Sequence, residues 1–133
     1  MPSAIRKRSY GSVTIFSVDK ELVRKALDEF VKELRARPEV VAVVLFGSFD
    51  TPHFGVRSDV DLLVVLRESS LPFLDRIPLY TPSGFPVDID VFPYTLDEVR
   101  AGQRVARTAL KTGRLLWVRP GVPWPPIEAG SAE

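Results

Sequence analysis

Asp59 and Asp61 stand two residues apart, and Asp88 and Asp90 repeat that spacing later in the chain. Residues two apart on a strand project to the same side, so each pair offers two carboxylates to one face. Like charges held so close repel, and each loses hydration where the strand is half-buried. Raised pKa values, cationic partners or a bound metal ion would each relieve the conflict, and hard dications such as Mg²⁺ favour oxygen ligands of this kind. A strand end facing water, with the acids capping the turn after Ser58, would serve as well, so the spacing alone leaves both readings open. Two features favour the metal. Gly47-Ser48 closes an apolar run, and free backbone N–H groups with a hydroxyl at such a mouth can receive phosphate oxygens. Asp88 and Asp90 also sit in an apolar segment whose Val87, Ile89 and Val91 take the opposite side, so neighbouring strands can bring all these acids together.

The elements that must position these groups are legible as patterns. After residues 1–8, read as a loose arm containing Arg6, Lys7 and Arg8, Tyr10 to Val18 is β-prone and suits an edge strand. Asp19 is placed as an N-cap. Leu22, Val23, Ala26, Leu27, Phe30, Val31 and Leu34 then recur at three- and four-residue steps, which predicts an amphipathic helix ending near Pro38. Val40 to Phe46 and Val60 to Leu66 are continuous apolar runs, as expected of strands covered on both faces. A short helix is predicted within Leu71 to Tyr80, a third strand over Phe85 to Phe92, and a cap at Thr95 for helix in one or two pieces to Lys111. Gly113 is the stop, and Leu115 to Val118 reads as a last short strand. The tail from Arg119 carries Pro120, Pro123, Pro125 and Pro126 and cannot continue a ladder.

Composition narrows the class. The chain has 133 residues, enough for one domain with its own core. It has no cysteine, which excludes disulfides and thiolate metal sites and suits a reducing cytoplasm. No apolar stretch approaches the ~20 residues of a membrane span. A net charge of +1 makes no strong case for nucleic acid. Trp117 and Trp124 are read as packing groups. His53, the one histidine, is read first as an ordinary loop residue, and Arg104, Arg107 and Lys111 as a solvated helical side.

The stretch GSFDTPHFGVRSDVDLLVVL resembles the Gly-Ser, spacer, Ser-Asp-x-Asp-Leu motif of the polymerase-β-like nucleotidyltransferases, and the nine-residue spacer between Ser48 and Ser58 fits their small prokaryotic members, the minimal nucleotidyltransferases. VDIDVFPYTLDEV is similar to their third-carboxylate strand and following helix, so the resemblance runs from about residue 19 to 118. It implies an α+β fold, a small mixed sheet with helices packed on it, with the nucleotidyltransferase domain over 9–118 between the basic arm 1–8 and the Pro-rich tail 119–133. It further implies that Gly47 and Ser48, with Ser58 beside the acids, bind a nucleoside triphosphate, and that Asp59, Asp61 and Asp90 hold two Mg²⁺ or Mn²⁺ ions. Asp90 takes the third place because it stands directly before Val91-Phe92-Pro93-Tyr94-Thr95, with Asp88 as the alternative.

One departure stands out. Family members usually follow the Gly-Ser with a small residue, arginine and glycine, whereas this chain has Asp50, Thr51 and Pro52. A cation is missing and an anion is present, which weakens triphosphate binding unless Arg57 or another basic residue compensates. The resemblance therefore leaves two functions. One is transfer of a nucleoside monophosphate, AMP from ATP, onto an acceptor hydroxyl. In that case acceptor choice is expected to come from a partner, and antitoxin pairing with a helical HEPN-type protein is implied by resemblance alone. The other is a binding module that has lost turnover and docks to its partner. A metal-dependent nuclease is a third reading, disfavoured by the Gly-Ser cradle.

Overall fold

The structure, a computed structural model, describes residues 20–47 and 60–126 together with the backbone of two N-terminal strands. Those strands, β1 (Ile5–Tyr10) and β2 (Val13–Val18), pair antiparallel from Ile5↔Val18 to Tyr10↔Val13 as a separate two-stranded sheet. Ile5–Tyr10 thus runs through residues read from sequence as a loose arm. A β-prone partner such as Val13–Val18 recruits neighbours whose own propensity is modest, because ladder bonds are satisfied pairwise. The expected N-cap Asp19 lies outside the described residues.

Helix α1 (Lys20–Arg35) buries Val23, Ala26, Leu27, Phe30, Val31 and Leu34, six of the seven positions in its predicted stripe. Strand β3 (Val40–Phe46) and strand β4 (Val60–Leu66) occupy the two continuous apolar runs and pair antiparallel. A crossover containing α2 (Phe73–Tyr80) leads to β5 (Ile89–Thr95), which joins β4 in parallel. Then follow α3 (Leu96–Arg100), α4 (Arg104–Thr112) and β6 (Arg114–Val118), the last antiparallel to β3. The resulting sheet has the order β5-β4-β3-β6. Mixed pairing with helices on the sheet makes the fold α+β, as expected.

Alternation along the central strands feeds two cores. Val43, Leu45, Leu62, Val64 and Val91 pack with α1 on one face. Val44, Leu63, Val65 and Tyr94 pack on the other with Leu96 and Val99 of α3 and Ala106 and Ala109 of α4. A register shift between Val40 and Ala42 lets Val41 and Ala42 both enter the second core. Gly113 is required where α4 turns into β6. A Cβ there would lie 2.4 Å from the Ala109 carbonyl oxygen and 2.7 Å from that of Leu45.

The third main-sheet strand is displaced from its predicted span. Phe85 and Val87 still pack against the first core, but pairing begins at Ile89 and continues to Thr95 instead of ending at Phe92. Strand limits follow the partner: Val60↔Ile89 opens the ladder and Leu66↔Thr95 closes it. Pro93 is tolerated because β5 is an edge strand.

Candidate active site

Register brings two of the predicted acids side by side. Phe46 is the cross-strand partner of Asp61, and Asp61 is the partner of Asp90, so one row of the sheet reads Phe46–Asp61–Asp90 across β3, β4 and β5. One row inward lie Val44, Leu63 and Phe92, and the next holds Ala42, Val65 and Tyr94, all on the second core. Period two along each strand therefore puts Asp61 and Asp90 on the face covered by α3 and α4, at the end where that apolar surface stops. Asp61 is half-buried and Asp90 exposed. Adjacent strands stand roughly 4.8 Å apart, a spacing that permits two carboxylates to share a cation.

Two features shape the space around Asp61. The Phe46 and Phe92 rings lie 5.6 Å apart at 50°, meeting above β4 immediately inside the acids. Both rings pack, partly buried, against the second core that holds Leu63. On the other side is Gly47, with φ +81°; a Cβ built on it would fall 2.3 Å from Oδ2 of Asp61. The backbone turn leaving β3 and the carboxylate of β4 thus occupy the same small volume.

Strand β5 is braced from outside. Arg76 of α2, only 5% exposed, donates to the Pro93 carbonyl at 3.1 Å and holds Glu98 with both terminal nitrogens, at 2.7 and 3.2 Å. Glu98 in turn accepts from the Thr95 N–H while the Thr95 hydroxyl accepts from the Glu98 N–H, a complete capping box at the start of α3. The Arg76 guanidinium keeps the Glu98 carboxyl below the ordinary range, against the opposing effect of its burial. Phe73 stacks on Tyr94 with centroids 4.5 Å apart. The Tyr94 hydroxyl accepts from Gln103, whose side-chain oxygen caps α4 at the Ala106 N–H. Thr95 was legible as a cap from the sequence, and Thr-Leu-Asp-Glu carries the box pattern. Nothing in the sequence marks Arg76, a charged residue on a short helix, as buried.

Ser48, Ser58 and Asp59 lie outside the described residues, as do Asp50, Thr51, Pro52, His53 and Arg57. Among the described residues no three carboxylate or imidazole groups gather into a metal-holding cluster, and the acids side by side are Asp61 and Asp90. As oxygen donors on neighbouring strands they suit Mg²⁺ or Mn²⁺. Asp88 is exposed and precedes β5; its carbonyl accepts from the Val60 N–H at 3.0 Å. Arg104, Arg107 and Lys111 are exposed on α4. Trp117 packs on the first core with Arg35 and Arg119 over its ring, and Trp124 packs partly buried on the second. No described helix is long and apolar enough to cross a membrane.

The family model for the nucleotidyltransferase domain matches residues 27–116, and the chain belongs to that family. In fold it is similar to a crystal structure of a candidate nucleotidyltransferase from Sulfolobus solfataricus, with a TM-score of 0.55 at 22% identity, over 75% of this chain and 84% of that one. No curated protein matches.

Proposed function

We propose that the protein transfers AMP from ATP to an acceptor hydroxyl, with Asp59, Asp61 and Asp90 as the metal-binding acids. The observation that carries this reading is the Asp61–Asp90 register at the end of β3, beside Gly47, within a nucleotidyltransferase domain. Divalent ions bound there would lower the pKa of the acceptor hydroxyl and neutralise charge on the triphosphate and the departing pyrophosphate. The chain's own contribution is alignment. Asp61 and Asp90 present oxygens from two strands locked in register, at the end of the sheet where the apolar rows stop. Gly47 and Ser48 are the proposed acceptors of phosphate oxygens, through backbone and hydroxyl, with Ser58 as a further nucleotide-binding residue on the strength of the motif. The exposed α4 face with Arg104 and Lys111 is the alternative contact for a nucleotide or partner.

The acceptor is proposed to lie on a partner protein, a helical HEPN-type toxin for which this chain serves as antitoxin. The support for this is the resemblance of the motif to the minimal nucleotidyltransferases. Incubation with labelled ATP and Mg²⁺ or Mn²⁺, with and without a co-purified partner, tests the proposal. Label on the partner that disappears with Asp61→Asn is expected.

A second reading is favoured by one specific observation, the replacement of the usual small-Arg-Gly segment by Asp50-Thr51-Pro52. A domain lacking that cation would dock to its partner without turnover. No label transfer and no metal-dependent ATP binding, with the partner still bound, would support this reading against the first.

A further inference from the structure

We propose that Gly47 is a positioning residue: the absence of a side chain there forms the seat that holds the Asp61 carboxylate over the end of β4. This goes beyond phosphate contact by Gly47, and its link to catalysis rests on the function proposed above. The argument is steric. A Cβ at position 47 would lie 2.3 Å from Oδ2 of Asp61, 3.1 Å from Cγ and 3.3 Å from Cβ. The carboxyl group thus takes the space that any other residue would fill. Phe46, the cross-strand partner of Asp61, leans with Phe92 over the inner side of the same row. On the neighbouring strand Asp90 stands in register with Asp61, so a carboxylate seated against Gly47 belongs to the row that carries both acids. The φ of +81° adds a second demand for glycine. The two demands are separable, because backbone strain at Gly47 does not depend on the side chain carried by its neighbour on β4.

A four-protein thermal melt separates them, using the wild-type chain, Gly47→Ala, Asp61→Ala and the double variant, in sucrose so that weak variants begin the scan folded. Strain alone predicts that Gly47→Ala lowers the melting temperature equally whether it is made in the wild-type chain or in the Asp61→Ala background. A carboxylate seat predicts a markedly larger loss in the wild-type chain than in that background, and the isosteric Asp61→Asn should retain the larger loss. Additive shifts, or a double variant that fails to fold as Gly47→Ala does, overturn the proposal. Mn²⁺ titration of the wild-type protein is a separate readout: absence of binding would count against the nucleotidyl-transfer reading while leaving the coupling result to stand or fall by itself.

Discussion

On the proposed function Asp61 and Asp90 carry the chemistry, and their substitution should then separate activity from folding. Asp61→Asn and Asp90→Asn keep the side-chain shape but remove a charge, so transfer of labelled AMP is expected to fall on the order of 10²-fold or more. The melting temperature should change far less, because the amide keeps the shape of the carboxyl and much of its hydrogen-bonding capacity. A parallel loss of stability in a circular-dichroism melt would assign these acids to structure. Asp88→Asn, outside the ladder, should cost activity far less. Tyr80 offers a residue-scale test away from the site. Burial, and then its hydrogen bond to Glu39 at 2.7 Å, push its phenol from 10.0 up to about 12. The unfolded phenol ionises near 10 while the folded one holds its proton. Stability is therefore full below pH 10 and falls as pH rises toward 12. In Tyr80→Phe that alkaline slope should flatten, as read from urea midpoints.

The brace between α2, β5 and α3 makes its prediction at the scale of elements. Glu98→Gln leaves the Arg76 guanidinium buried without a counter-charge, and a loss of about 1–2 kcal/mol is expected, below the range for a fully buried pair because Glu98 touches water and Arg76 keeps its carbonyl acceptors. The depressed Glu98 carboxyl gives the sign of the pH effect: unfolded, it takes up a proton near 4.5, whereas folded it resists until lower pH. Its contribution is present above 4.5 and lost as pH falls through the depressed value. Denaturant midpoints between pH 3 and 6 should show a shallower acid slope in Glu98→Gln. This brace also marks where sequence reading ran out. Apolar patterning located α1, β3 and β4, because each is buried along the stripe or run that its own residues form. The ends of β5 were misplaced because a strand stops where its neighbour stops, and that neighbour is remote in sequence. The burial of Arg76 is a property of three elements meeting. The spacing of the aspartates suggested a shared face, but only register pairs Asp61 with Asp90, and the space-sharing of Gly47 with Asp61 has no sequence signature beyond the glycine itself.

For the molecule as a whole, binding and stability are linked. If metal and nucleotide bind the folded chain alone, ATP with Mg²⁺ at a hundredfold excess over Kd adds about 2.7 kcal/mol, enough to raise the melting temperature by several degrees. Chelation should abolish the rise, and Asp61→Asn or Asp90→Asn should blunt it. A rise that survives both changes would place the nucleotide elsewhere.

The parallel pairing of β4 with β5 has a temporal corollary. An antiparallel neighbour can arrive through a hairpin, but this one must wait for the whole excursion through α2 to close. Asp61 and Asp90 can meet only after that closure, and a slip of one position would turn Asp90 toward the α1 side of the sheet. Partly folded chains would hold the two acids apart, and enzymatic competence during refolding should lag behind the helical signal.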